Sequence, residues 1–131
     1  MNPQFSDCIV IIPAYNEEAT IGKVVAQAKR IVPTVLVVND CSTDRTAQYA
    51  EDAGGIVLKH DVRKGYEHAL ITGFNYSSRN SFRFMITIDA DGQHDPQYIN
   101  AFLLPLVQGE VEMVIGLRPI KARLAEKIFA I

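Results

Sequence analysis

Five short apolar runs recur along the chain, and most are followed by a segment whose apolar positions return every three or four residues. CIVIIP, from Cys8 to Pro13, is continuous and rich in β-branched residues, which predicts a strand buried on both faces. EEATIGKVVAQAKRI comes next, with Ile21, Val24, Val25 and Ala28 at helical spacing and charges opposite. TVLVVN predicts a second buried strand. STDRTAQYAEDAG predicts a helix, with Ser and Thr as cap candidates and Gly54 as its stop. GIVLKH reads as a third strand. KGYEHALITGFNYSS reads as a helix that Thr72 and Gly73 weaken. FRFMITID is a fourth strand. Asp95 and Pro96 suit the cap and first turn of a helix in PQYINAFLLPLV, which Pro105 kinks or ends. VEMVIG is a fifth strand.

Strand and helix therefore alternate, which predicts an α/β fold: a doubly wound, mostly parallel sheet with helices on both faces and right-handed crossovers. Ligands bind such sheets beyond the carboxyl ends of the strands. The polar residues after each apolar run should meet on that rim. They are Tyr15, Asn16 and Glu17; Asn39 and Asp40; His60 and Asp61; Asp89, Asp91 and Gln93; and Arg118.

Length and charge narrow the picture. A chain of 131 residues suffices for one compact domain. The expected division is a binding domain over 1–119 and a tail over 120–131. In the tail Ile120, Leu124, Ile128 and Ile131 fall near one helical face among Lys121, Arg123 and Lys127. Such a helix either faces further protein or lies on an anionic membrane surface. A formal net charge of -2 leaves no basic excess for a nucleic-acid backbone, so nucleic acid is not an expected partner. Cys8 and Cys41, in no CxxC spacing, fit a reducing compartment and offer neither a disulfide framework nor a zinc site. The start MNPQFSDC lacks the features of a secretory signal, and no run approaches the roughly 20 apolar residues of a membrane span. A cytoplasmic location, at most peripheral to the membrane, is expected. Oligomeric state is not legible.

The densest chemistry lies in ITIDADGQHDP. Asp89 and Asp91 flank small Ala90, so in an extended segment both carboxylates point the same way. Like charges so close raise one pKa unless a cation is present. Mg²⁺ or Mn²⁺, which take oxygen ligands, would resolve the repulsion, and Gln93 can add a neutral carbonyl oxygen. An isolated DxD is common by chance and often only ends a strand. A calcium loop is excluded, because its sixth position would be His94 rather than Gly and its twelfth Asn100 rather than Glu. Tyr15 can stack on a base or merely cover the sheet edge. Asp40 can accept from a ring N–H of uracil or guanine, or cap the following helix, as Ser42 can equally. Arg63 and Lys64 can neutralise phosphate, although a solvated loop accounts for them as well.

Four segments in order, VIIPAYNEEATIGKVV, VLVVNDCSTDRT, KGYEHALITGF and ITIDADGQHDP, resemble the successive motifs of the inverting family 2 glycosyltransferases, which have the GT-A, Rossmann-like fold. VIGLRP resembles the family's IGSR segment. The similarity runs from about Ile9 to Pro119 and is nearest to the dolichyl-phosphate mannose synthase and polyprenyl-phosphate sugar transferase branch. The resemblance implies substrate-binding roles for Pro13, Tyr15 and Glu17 in the first loop, for Val38 and Asp40 in the second, and for Asp89, Ala90, Asp91, Gln93 and Arg118 around the donor diphosphate. It implies Asp89, Asp91 and Gln93 as metal ligands, with Asp89 and Asp91 the residues carrying catalysis. Asn39, Cys41 and Leu117 depart from the family's usual Asp, Gly and Ser.

The chemistry so implied is transfer of a sugar, with inversion, from a UDP- or GDP-linked donor to a polyprenyl or dolichyl phosphate, assisted by Mg²⁺ or Mn²⁺. A phosphate acceptor is already anionic and needs no general base, which matters because no convincing base stands in the chain. Two other readings compete: a module that holds the donor without transferring it, and a nucleotidyltransferase. The latter usually opens on a Gly-rich phosphate loop with a basic residue, which IPAYNEEATIG lacks.

Overall fold

The structure is a computed structural model that describes residues 5–93, 95, 97–110, 114–117 and 127–130. Strands β1 (Cys8–Ala14), β2 (Thr34–Asn39), β3 (Ile56–Lys59) and β4 (Phe84–Thr87) form one parallel sheet in the order β3-β2-β1-β4. Helices α1 (Ile21–Lys29), α2 (Thr46–Asp52) and α3 (Tyr66–Arg79) connect them, and α4 (Gln97–Val107) follows β4.

Alternation along the strands sorts the core into two layers. Val10 and Ile12 of β1 and Val35 and Val37 of β2 point to one side, where they pack with Ile21, Val24 and Val25 of α1, Ala50 of α2 and Ile99 and Leu103 of α4. Ile9, Ile11, Leu36 and Val38 point to the other side and pack with Ala69 of α3. Every residue of β1 is buried, as a strand covered on both faces requires. α3 approaches closely because Gly73 has no side chain: a Cβ there would lie 2.5 Å from Ile11 Cγ2. The glycine that weakens the helical pattern of α3 is thus what admits the helix to the sheet.

Several local expectations are corrected. Neither Ser42 nor Asp40 caps α2. Its N-cap position is Arg45, and the Thr46 N–H donates to Asp44 Oδ1 at 3.0 Å. Gly54, with φ at 97°, does follow the end of α2. Pro105 lies within the last turn of α4 without ending it. The fifth strand, β5 (Val114–Leu117), does not join the parallel sheet but pairs antiparallel with β6 (Lys127–Ala130). Residues 127–130 are therefore extended rather than helical. Cross-strand pairing of Ile128 with Gly116 and of Phe129 with Ile115 overrides a weak helical periodicity. The rest of the expected tail helix, 120–126 and 131, lies outside the described residues.

Candidate functional site

β2 and β3 extend the sheet from β1 in one direction and β4 in the other, so the chain reverses its progress between β1 and β4. The loops leaving these neighbouring strands diverge and open a crevice. A solvent-open cleft of about 750 Å³ lies there, lined by Pro13, Ala14, Tyr15, Glu17, Asp40, Arg63, Gly65, Tyr66, Ala69, Asp89, Ala90 and Asp91.

The first loop is locked to the loop after β2. Asn16 sits at φ 51°, a conformation that asparagine tolerates better than most residues. Its N–H donates to Ser42 Oγ, and its Oδ1 accepts from the Thr43 N–H at 2.8 Å. The Glu17 N–H donates to Thr46 Oγ1, the Glu18 N–H to Asp44 Oδ2, and the Arg45 N–H to Glu18 Oε2. AYNEE and NDCSTDRT are thus two halves of one interlocked loop pair. Burial acts to raise the Asp44 pKa, but the hydrogen bonds from Thr46 and Glu18 outweigh it and hold the carboxyl below its usual range.

Asp40 organises the next loop. It is buried, and its Oδ1 accepts from His60 Nδ1 and the Lys64 N–H while Oδ2 accepts from the Gly65 N–H, all at 2.8 Å. Burial pulls its pKa up, but these donors, with Lys64 first and His60 next, prevail and keep it low. His60 hydrogen-bonds Thr72 Oγ1 through Nε2 at 2.7 Å. Two residues expected on the rim therefore turn inward. His60 braces Asp40, and Asn39 accepts from the Ser42 N–H. Asp40 still lines the cleft, and among the described residues Oδ2 accepts from the Gly65 N–H alone, which leaves it a lone pair for an incoming N–H.

The loop that Asp40 gathers delivers Arg63 to Tyr15, with the guanidinium carbon 3.8 Å from the ring centroid. A flat aromatic–cation surface results at one end of the cleft. Arg63 belongs to the site rather than to a purely solvated loop. Lys64 contributes its backbone N–H. Tyr66, in the first turn of α3, also lines the cleft. Burial, and then the Asp89 carboxylate, push its phenol above the usual range, so it is a proton donor at neutral pH. Tyr66 is a site residue that no catalytic motif in the sequence marks. The available signal was its place in a helix start after a strand, which in a doubly wound sheet faces the crevice.

The acids stand at the other end. Ile86, Ile88 and Ala90 are buried in the α1-side core. Past β4 the chain turns at Ala90 and Asp91, and Asp89 and Asp91 both line the cleft. The Gln93 N–H donates to Asp91 Oδ1 at 3.0 Å, closing a turn. Gly92 takes φ 77°, which is why a glycine stands there. Gln93 is exposed and is not among the cleft-lining residues, although its hydrogen bond ties it to Asp91. Val38 is fully buried in the α3-side core, paired between β1 and β3, and is not among the cleft-lining residues. Arg118 lies outside the described residues.

Among the described residues no group of three His, Cys, Asp or Glu side chains is placed to hold a metal. The donor set nonetheless suits a divalent ion shared with a ligand: two carboxylates one residue apart, with an amide nearby. Among the described residues that line the cleft, four acids, Glu17, Asp40, Asp89 and Asp91, accompany one cation, Arg63, a balance that favours a cation bound along with an anionic ligand.

Comparison with known proteins agrees with this geometry. Residues 9–123 match the model of glycosyl transferase family 2. The UDP-N-acetylglucosamine–dolichyl-phosphate N-acetylglucosaminyltransferase of Methanococcus voltae is 31% identical over 83% of this chain and 51% of its own length. The polyprenol monophosphomannose synthase of Mycolicibacterium smegmatis is 32% identical over 84% of this chain and 44% of its own length. Crystals of the glucosyl-3-phosphoglycerate synthase of Mycobacterium tuberculosis with Mn²⁺, UDP-glucose and phosphoglyceric acid superpose with a TM-score of 0.67 at 29% identity, over 79% of this chain and 40% of that one. The chain spans about half the length of the curated relatives it matches. On the strength of the family match, the ordered loops and the parallel sheet that carries them, the chain belongs to glycosyl transferase family 2.

Proposed function

We propose that the chain binds a nucleotide-diphospho-sugar, UDP- or GDP-linked, and serves its transfer with inversion to a polyprenyl or dolichyl phosphate. One observation carries the donor assignment: a single cleft joins the Tyr15–Arg63 surface to the Asp89–Asp91 acids. The base lies against Tyr15 and Arg63 and offers a ring N–H to Asp40. Pro13 and Glu17 border it, Val38 supports the loop of Asp40 from within the sheet, and the diphosphate extends past Ala90 to the acids. The acceptor class is supported by the relatives named for polyprenol and dolichyl phosphates.

Asp89, Asp91 and Gln93 would hold Mg²⁺ or Mn²⁺. When bound, the ion supplies positive charge where the leaving diphosphate gains negative charge. The protein's own residues do the rest. The stacked pair fixes the nucleoside and so orients the anomeric carbon. Tyr66, protonated, is placed to donate to a phosphate oxygen. The acceptor phosphate attacks the anomeric carbon from the face opposite the diphosphate. Arg118, within the matched segment, completes the phosphate contacts. The corresponding location is the cytoplasmic membrane face. Among the described residues no helix is long and apolar enough to cross a membrane.

Calorimetric titration with UDP and GDP, with and without Mn²⁺, tests the donor site. Asp91→Asn should remove Mn²⁺-dependent binding while leaving the circular dichroism spectrum unchanged. Unaltered affinity would defeat the metal assignment. Incubation with labelled UDP- or GDP-sugar and polyprenyl phosphate tests transfer. Binding without transfer would make the chain a donor-holding module.

A further inference from the structure

Thr20 stands at the N-cap position of α1, yet its side chain makes no capping bond to that helix. Its Oγ1 instead lies 2.6 Å from the carbonyl oxygen of Ala90, 70 residues away in sequence. A carbonyl cannot donate, so the hydroxyl proton must point at Ala90. The Glu17 carboxylate, 3.5 Å from the same hydroxyl, is left at the margin of bonding distance. Thr20 also underlies Gly92, since a Cβ on that glycine would lie 3.8 Å from both Thr20 Cβ and Cγ2. The residue therefore meets the acid turn at two points, Ala90 between the acids and Gly92 after them.

We propose that Thr20 is a positioning residue that sets the Asp89–Asp91 turn against the first loop, and so the spacing between nucleoside contacts and metal ligands. This rests on the donor-site reading above. Ala90 is the hinge of the argument. Its side chain is held in the core and its carbonyl is held by Thr20, so the peptide units carrying both acids have little freedom. With the hydroxyl removed, that carbonyl loses the bond that ties it to the first loop, and the acids lose their common aim while the strands beneath stay in place. The same hydroxyl ties the two ends of the cleft, because Thr20 follows Glu17 in the loop locked to Ser42, Thr43 and Thr46.

The test compares Thr20→Val, which keeps shape and loses the hydroxyl, with Thr20→Ser, which keeps the hydroxyl. Each is titrated with UDP and GDP in the presence and absence of Mn²⁺, and each is melted. Thr20→Val should weaken Mn²⁺-dependent binding about tenfold, the effect of one lost hydrogen bond. Thr20→Ser should stay within about twofold of the parent, and metal-free binding should change little in either. A purely structural role would lower both kinds of binding alike, or only the melting temperature, and would overturn the proposal. So would unchanged Mn²⁺-dependent affinity in Thr20→Val. If the parent chain itself shows no Mn²⁺-dependent binding, the donor-site reading falls and this inference falls with it. If only Thr20→Val is unaffected, the inference alone falls. Should Thr20→Val not fold, Thr20→Ala is read by the same titrations.

Discussion

At the scale of single residues, the site depends on acids whose surroundings differ. Asp40 and Asp44 are enclosed by donors and Asp91 is exposed, though all three follow strands and look alike in sequence. The folded pKa values of Asp40 and Asp44 lie below the ordinary 3.8. Their ionised forms therefore add stability that is present at neutral pH, begins to fade near the unfolded value and is gone once pH falls below the folded values. Urea denaturation between pH 7 and 3 should show the midpoint falling below about pH 4. Asp40→Asn, which removes one of these groups, should flatten that fall. An equally steep fall in the variant would show that Asp40 is not one of the linked groups. Cys41 sits at φ 61°, a conformation that suits glycine better, and the Asn16 bond to the Thr43 N–H braces the loop beside it.

At the scale of elements, the helix–sheet contact is set by one position. Gly73→Ala would push a methyl to within 2.5 Å of Ile11 Cγ2 in a strand with no exposed residue. The expected cost is about 1–3 kcal/mol by overpacking, against a gain in helix propensity of about 1 kcal/mol. Chemical denaturation should therefore show a less stable protein. A more stable variant would mean that α3 can shift away from β1 freely. The same position shows why α3 was readable only in part. The sequence presents Gly73 as a flaw in a helix, and only the packing reveals it as a requirement. The reverse error occurred at the tail, where a four-residue pairing with β5 outweighed helical spacing.

At the scale of the whole molecule, a ligand that bridges loops from β1, β2 and β4 must stabilise the fold that brings them together. Mn²⁺ and nucleoside diphosphate together should raise the melting temperature, while either alone should do much less. At a ligand concentration about 100 times Kd the gain is about 2.7 kcal/mol. Equal shifts from Mn²⁺ alone in the parent and in Asp91→Asn would place the metal elsewhere.

Much of this protein was legible in the chain itself. The run of buried β-branched strands and amphipathic helices determined a doubly wound parallel sheet, because a period of two or of 3.6 is a local property that burial rewards in any such fold. The acids of ITIDADGQHDP and the aromatic of AYNEE were legible as chemistry for the same local reason. What the sequence could not express was which polar groups face the cleft and which face one another. His60 and Asn39 turned inward, Arg63 moved onto Tyr15, and Thr20 reached Ala90. Apart from Asn39, which bonds Ser42 within its own loop, each of these is a contact between segments far apart in sequence. Hydrogen-bond partners separated by 20 to 70 residues leave no periodic trace, so only the tertiary structure decided them.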